Sequence, residues 1–173
     1  MGTSFMVELG QTITFPAVTA PEYAGTNIAL YATASSGLAV SYTASTPAVC
    51  AMTGGSVALL ITGTCTIEAM QTGNASYAAA PPVTQSFAVS KASQTITFAK
   101  IATQTVGATI NLVATASSGL GVSYRSTTPS VCSTSGSTAT MLSAGTCSID
   151  FTQGGDAEYA QATPVGTSFI VNP

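Results

Sequence analysis

The sequence has few charges and lacks two residue types that functional sites often use. Its 173 residues include three Lys or Arg, six Asp or Glu, no histidine and no tryptophan. Three basic residues cannot neutralise a run of phosphates, so we predict no nucleic-acid partner. Because histidine is absent, Ser-His-Asp catalysis, Cys-His catalysis and histidine-ligated metal sites are excluded within this chain.

Long hydrophobic runs and a disorder-prone composition are missing as well. No stretch approaches the about 18 consecutive apolar residues of a membrane-spanning helix, so we predict no membrane insertion. Disordered segments are rich in charge and poor in apolar residues, whereas 46% of this chain is hydrophobic. The abundant residues are serine and threonine, which number 50 together. The composition therefore predicts a folded protein with an uncharged, hydroxyl-rich surface.

An internal repeat dominates the chain. Residues 32–42 read ATASSGLAVSY and residues 114–124 read ATASSGLGVSY, which are identical at ten of eleven positions with an offset of 82. The same offset relates seven further pairs, Cys50–Cys132, Cys65–Cys147, Gln71–Gln153, Gly73–Gly155, Tyr77–Tyr159, Pro82–Pro164 and Phe87–Phe169. The segment QTITF at 11–15 recurs at 94–98 with an offset of 83. One residue has therefore been gained or lost between Phe15 and Tyr31.

The repeat predicts the domain organisation. We expect one domain over residues 10–90 and a second over residues 91–173. Residues 1–9 contain a partial third copy, because GTSFMV at 2–7 matches GTSFIV at 166–171 in five of six positions. We interpret this segment as the trailing strand of a preceding repeat. Residues left over from an expression vector are the alternative.

The pattern of apolar residues within each unit is typical of β-strands. Cys65, Ile67 and Ala69 alternate with polar residues, and similar alternation recurs along both units. Turn signals such as Gly54-Gly55 separate these stretches, and no segment has a sustained helical period. About seven short strands in each unit predict an all-β fold of two tandem antiparallel β-sandwiches.

Four cysteines form two copies of one pair, fifteen residues apart in each unit. A module that folds by itself should close its own bridge, so we predict Cys50–Cys65 and Cys132–Cys147 disulfides. A zinc site is the alternative, and the lack of any CxxC spacing argues against it. Disulfides place the protein in an oxidising compartment, either secreted, at the cell surface or periplasmic. We predict no metal and no cofactor.

Several motifs recur in both units and carry a resemblance. They are QTITF, ATASSGL-x-VSY, TP-x-VC at 46–50 and 128–132, GTC at 63–65 and 145–147, and the closing Gly-Asn/Asp-x-x-Tyr. Together they resemble the bacterial Ig-like repeats of large secreted or surface-anchored, adhesin-like proteins. The resemblance covers nearly the whole chain. It implies immunoglobulin-like sandwiches, a bacterial source and an extracellular or cell-surface location.

The resemblance also implies a function, because such repeats usually act as stalk or spacer modules. We therefore predict a non-enzymatic structural spacer whose partners are neighbouring Ig-like repeats of the same chain. The linker at residues 90–93 has neither glycine nor proline and is short, which predicts restricted hinge motion. The alternative is a binding module whose loops contact a host or matrix glycan or protein. A third hypothesis is an accessory domain of an exported enzyme.

Divergence between the repeats indicates where a binding module would make its contacts. The copies differ at 16–27 versus 99–109 and at 52–56 versus 134–138. Loops are common sites of recognition. In these stretches we predict possible loop contacts at five residues, Tyr23, Asn27, Thr53, Gln104 and Ser135.

Tyr77 and Tyr159 follow a Gly-Asn or Gly-Asp turn near the end of each unit. We predict that each closes the end of its sandwich and bonds backbone through its hydroxyl, with a sugar-stacking platform as the alternative. Glu68 and Asp150 are predicted to face solvent on the strand alternation. The acidic residues near Asp150 lack a calcium-loop pattern, so we predict no dedicated calcium site.

Overall fold

The computed structural model describes residues 7–19 and 21–173 as an all-β protein. It divides into two compact units, the first ending at Lys91 and the second running from Ala92 to Pro173. No helix occurs in these described ranges. Of residues 1–9, predicted to be the trailing strand of a preceding repeat, residues 1–6 lie outside the described residues.

The described residues of the first unit form nine strands. Their bounds are β1 Ile13–Thr14, β2 Glu22–Tyr23, β3 Asn27–Ala29, β4 Thr33–Ala34, β5 Ser41–Ala44, β6 Cys50–Thr53, β7 Ser56–Leu59, β8 Gly63–Gln71 and β9 Ala80–Ser90. One sheet has the order β2-β9-β8-β5, a second has the order β3-β7-β6, and β1 pairs with β4. The neighbours are antiparallel except for β2, which runs parallel to β9.

The second unit repeats this topology. Its strands are β10 Ile96–Phe98, β11 Gln104–Thr105, β12 Thr109–Asn111, β13 Ala114–Ala116, β14 Ser123–Ser126, β15 Cys132–Ser135, β16 Thr138–Met141, β17 Gly145–Thr152 and β18 Val165–Asn172. The sheets have the orders β11-β18-β17-β14 and β12-β16-β15, with β10 paired to β13. Again one pair is parallel, β11 with β18. The fold is therefore a β-sandwich in each unit, as the alternation predicts.

The predicted inward residues form the two cores. Cys65, Ile67 and Ala69 on β8 are fully buried, as are Val57 and Leu59 on β7. Their neighbours in sequence point to the outer faces because successive strand residues alternate between faces. The second unit buries the equivalent positions of β16 and β17 in the same way.

The two cores are filled differently around one position. Phe151 on β17 is 1% exposed, stacks on Phe98 with ring centroids 4.6 Å apart, and meets Tyr124 edge-on at 5.5 Å. The first unit has Ala69 at the equivalent place and keeps one aromatic contact there, Phe15 with Tyr42 at 5.7 Å. The second core thus depends on an aromatic cluster that the first core does not contain.

The strand count differs from the predicted seven for identifiable reasons. The apolar alternation from Ile28 to Ala34 is divided between two strands, β3 and β4. The two-residue strands β2 and β11 have no apolar alternation that would predict them, and they form strands by pairing with β9 and β18. Ile61 shares the alternation of Val57 and Leu59, but it lies outside β7 and is 47% exposed.

The strand bounds narrow the position of the residue by which the two repeats differ in length. Phe15 corresponds to Phe98, an offset of 83, whereas Glu22 at the start of β2 corresponds to Gln104 at the start of β11, an offset of 82. The extra residue of the first unit therefore lies between Phe15 and Glu22. This segment connects β1 to β2, so the additional residue disturbs no pairing register.

Candidate functional site

Each unit contains one disulfide, which joins its two sheets. Cys50 on β6 bonds Cys65 on β8 with a Cα–Cα distance of 5.7 Å, and Cys132 on β15 bonds Cys147 on β17 at the same distance. β6 and β15 belong to the three-stranded sheets, and β8 and β17 belong to the four-stranded sheets. All four cysteines are fully buried. The bridges have the predicted pairing, and each joins the two sheets of its unit inside the core.

A buried glutamine pair lies near one end of the first sandwich. The Gln11 side-chain amide donates to Gln71 Oε1 at 2.6 Å and to the Ala78 carbonyl at 2.6 Å. The Ser36 hydroxyl donates to Gln11 Oε1, and the Gly73 N–H donates to Gln71 Oε1. Gln11 and Gln71 are 6% and 8% exposed. The pair ties the segment before β1 to the end of β8 and to the loop that follows it.

The second unit has the same glutamine pair. The Gln94 amide donates to Gln153 Oε1 at 2.5 Å and to the Ala160 carbonyl at 2.7 Å, and Ser118 donates to Gln94. Sequence reasoning missed this role. The available signal was that Gln71 shares the inward phase of Cys65 on β8, which is unusual for a polar residue unless it is hydrogen-bonded.

The Gly-Asn/Asp-x-x-Tyr motif forms a tight loop beside each glutamine pair. Asn74 Oδ1 accepts from the N–H groups of Ser76 and Tyr77, and Asp156 Oδ1 accepts equivalently in the second unit. Gly73 has φ +76, and a Cβ there would lie 2.3 Å from the Tyr77 carbonyl oxygen. The loop therefore requires glycine for both its backbone angle and its close approach. Its side chains satisfy backbone groups of their own chain.

The loop also holds a residue near the N-terminal end of each unit, Leu9 in the first and Ala92 in the second. The Leu9 N–H donates to the Ser76 carbonyl and the Ala78 N–H donates to the Leu9 carbonyl, both at 2.9 Å, which forms a parallel bridge between Leu9 and Tyr77. Ala92 makes the same parallel bridge with Tyr159 in the second unit. Because β9 ends at Ser90, Lys91 alone lies between the last strand of one unit and the first bridge of the next.

The hydroxyl role predicted for Tyr77 and Tyr159 belongs to two other tyrosines. Among the described residues, the tyrosine hydroxyls that accept a backbone hydrogen bond are those of Tyr42, from the Ala32 N–H at 2.8 Å, and Tyr124, from the Ala114 N–H at 3.2 Å. Tyr77 and Tyr159 act through their backbone in the loops described above. The pattern was misleading because a turn next to a tyrosine does not show where the ring points.

The five predicted loop contacts are all placed in strands, next to turns. Tyr23 and Asn27 flank the turn between β2 and β3, and Thr53 ends β6 at its hairpin with β7. Gln104 begins β11 and Ser135 ends β15. Asn27 pairs with Ala58 at the opposite end of β7 from that hairpin, so the divergent positions of the first unit do not gather into one surface. Their part in binding stays a prediction.

One cavity of the first unit is open to solvent and has mostly apolar walls. It has a volume of about 220 Å³, lies where the chain leaves β1, and is lined by Phe15, Val18, Leu30 and the 74% exposed Tyr31. Besides the Tyr31 hydroxyl, its polar side chains are Thr19 and Glu22. Ligand sites usually combine an apolar wall with several convergent polar groups. This cavity offers few such groups, and none of the five predicted contact residues lines it.

The acidic residues are dispersed. Asp150 is exposed on the outer face of β17 opposite Arg125, and Glu68 is half-buried opposite Thr43. Within residues 7–19 and 21–173, no group of three or more Cys, Asp or Glu side chains has a geometry that could hold a metal ion. In the same ranges, no helix has the length and apolarity that crossing a bilayer requires.

The comparisons with known proteins identify similar folds. No protein-family model matches the chain, and no curated protein does. Among solved structures, it is similar to domains 4 and 5 of the S-layer protein SbsC, with 15% identity, a TM-score of 0.41, and coverage of 94% of this chain and 98% of that one.

Two other similar structures are larger than the matched region. Drosophila N-cadherin EC1-3 matches with 10% identity and a TM-score of 0.34 over 95% of this chain and 64% of that one. A fragment of intimin in complex with the intimin-binding domain of its translocated receptor Tir matches with 17% identity and a TM-score of 0.32 over 91% and 50%. All three TM-scores are below 0.5, so the functional argument depends on this chain's own residues.

Proposed function

We propose that this chain is a pair of structural spacer modules from a secreted or cell-surface bacterial protein. The observation that carries the proposal is that the distinctive polar and sulfur groups are duplicated and are bonded within their own unit. The disulfides, the glutamine pairs and the Asx-capped loops each occur once in either unit, and each joins parts of its own unit. A site for a ligand would direct such groups toward solvent.

The connections at the ends of each unit support a load-bearing role. In the first unit, two parallel pairings join N-terminal segments to segments later in the chain. They are the Leu9–Tyr77 bridge and the β2–β9 pair. Tension on the two ends of a unit pulls such parallel segments in opposite directions along their length. Their hydrogen bonds then share the load, whereas a pair pulled open from one end breaks one bond at a time. The second unit has the same two parallel attachments.

The disulfides add a limit to extension. Each closes a separation of fifteen residues and joins the two sheets, so those residues cannot be pulled out while the bridge is intact. Disulfides persist in oxidising compartments, which supports the extracellular or surface location. The proposed partners are the neighbouring repeats, to which force passes through a connection as short as Lys91.

A binding screen distinguishes the spacer from the alternative binding module. The oxidised chain would be tested against glycan arrays and matrix proteins, with a variant in which Tyr23, Asn27 and Thr53 are changed to alanine as the matched control. The spacer proposal predicts no saturable binding by either protein. Saturable binding that the triple variant loses would contradict the spacer role and support the binding module.

A further inference from the structure

The outer edge strand of the four-stranded sheet differs between the two units. In the first unit this edge is β5, and in the second it is β14. The N–H groups of Ser45 and Thr127 donate to the carbonyls of Thr66 and Ser148 on the neighbouring strands. Backbone groups of an antiparallel strand alternate in direction. Tyr42 and Ala44 on β5 therefore direct their N–H and C=O groups away from the sheet.

The equivalent edge of the second unit is closed by a side chain. Tyr124 and Ser126 direct their backbone groups outward, and Thr134 on β15 covers them. The Ser126 N–H donates to Thr134 Oγ1 at 3.3 Å, and the Thr134 hydroxyl donates to the Tyr124 carbonyl at 3.5 Å. One threonine hydroxyl thus serves both the donor and the acceptor of this edge.

The first unit lacks this closure. Met52 stands at the position of Thr134, and its thioether has no hydrogen to donate. Met52 instead packs against the hydrophobic core. Within the described part of the chain, the Ala44 N–H and the Tyr42 carbonyl make no protein hydrogen bond. An edge with open backbone groups is a template for another strand.

A difference in charge also protects the edge of the second unit and leaves the edge of the first unit open. The residue between the outward-facing pair is Thr43 in the first unit and Arg125 in the second, and Thr43 is exposed. A charged residue at an edge strand opposes pairing with another chain. The second unit therefore has two protections, a hydroxyl cap and a charge, and the first unit has neither.

We propose that β5 of the first unit is a self-association surface that pairs antiparallel with β5 of a second copy. The outward groups are self-complementary, because a two-fold axis at Thr43 brings Tyr42 of each copy opposite Ala44 of the other. Both residues of that pair then exchange N–H to C=O hydrogen bonds. The axis also places Thr43 opposite Thr43, and threonine pairs are favourable cross-strand neighbours. In the second unit the same axis would place Arg125 opposite Arg125, which is unfavourable.

The nearest charge on the first unit does not prevent this pairing. Glu68 lies one strand inward, opposite Thr43. In the paired edges the two Glu68 residues would be three strand spacings apart, about 14 Å. That distance exceeds the Debye length of about 8 Å at physiological ionic strength, so their repulsion is largely screened.

Sedimentation of the oxidised full chain at increasing concentration tests the proposal. We expect weak dimerisation, with Kd of about 0.1–1 mM, because a single short edge buries less area than stable interfaces of about 1,000 Å² or more. Giving the first unit either feature that protects the second unit's edge should weaken dimerisation. Thr43→Arg, which adds the charge, and Met52→Thr, which adds the hydroxyl cap, should each raise Kd about tenfold or more. The reverse double variant, Arg125→Thr with Thr134→Met, should open a second edge and produce species larger than a dimer.

Amide hydrogen exchange identifies the surface independently of the affinity. On raising the wild-type concentration, exchange at Ala44 should slow, whereas exchange at Ser126 should not change. A thermal melt of each variant checks that it is folded. A wild-type chain that stays monomeric at about 1 mM, or one that dimerises equally well with Thr43→Arg, would overturn the proposal, as would binding of an unrelated extended peptide at β5 without any self-association.

Discussion

The two units share a skeleton and differ in what fills and closes it. Strand order, disulfide, glutamine pair and Asx-capped loop are the same in both. The second unit has Phe151 in its core and Thr134 on its edge, where the first has Ala69 and Met52. The shared features hold sheets and loops together, so they define the module. The features that differ are local, and they adjust packing and surface without changing the fold.

The largest difference should appear when the aromatic cluster is removed. Phe151→Ala takes away a fully buried side chain that contacts two other rings, so we expect the second unit to lose about 3–5 kcal/mol of unfolding free energy. Denaturant unfolding followed by NMR signals of each unit measures this. The first unit, which has Ala69 at this position, is the internal control and should be unchanged. A loss below about 1 kcal/mol would contradict the importance assigned to the cluster.

Removing a disulfide should affect the two units equally. Cys50→Ala with Cys65→Ala, and Cys132→Ala with Cys147→Ala, each open a bridge of sequence separation fifteen. The chain-entropy argument gives about 3 kcal/mol for such a loop in each unit. Parallel denaturant unfolding of the two double variants gives the comparison. If one unit lost several times more than the other, the bridges would not be equivalent clamps.

The glutamine pairs should also contribute equally, by a smaller amount. Gln71→Ala and Gln153→Ala leave a buried glutamine amide and a loop N–H without their acceptor. We expect each to cost about 1–3 kcal/mol. Gln161→Ala, at an exposed position of the second unit, should change stability by less than about 0.5 kcal/mol. A cost for Gln71→Ala no larger than this control would show that water replaces the pair.

The smallest expected effect concerns the edge strands. Thr134→Ala removes the hydroxyl that caps Ser126, at a cost of about 0.5–1.5 kcal/mol. In dilute protein, amide exchange at Ser126 should then rise toward that at Ala44. If the substitution leaves exchange at Ser126 unchanged, the Thr134 hydroxyl does not protect the edge of the second unit.

Sequence reasoning succeeded where the signal is local and periodic. Alternation identified the buried residues of β8, and the repeated cysteine spacing identified the bridges that the structure contains. It failed where a partner lies far along the chain. The polar dipeptides of β2 and β11 form strands only because β9 and β18 pair with them. It also failed at Tyr42, whose hydroxyl accepts from the Ala32 N–H ten residues earlier, because no local pattern shows where a tyrosine ring points.

The proposed spacer role is tested most directly by pulling the chain from its two ends, with and without reductant. In the oxidised protein each unit should unfold in one step whose length excludes the residues enclosed by its disulfide. Reduction should lengthen both steps by about 50 Å, for a separation of fifteen residues at about 3.5 Å per residue. Steps of the same length in both conditions, or units that extend without resisting force, would contradict the account.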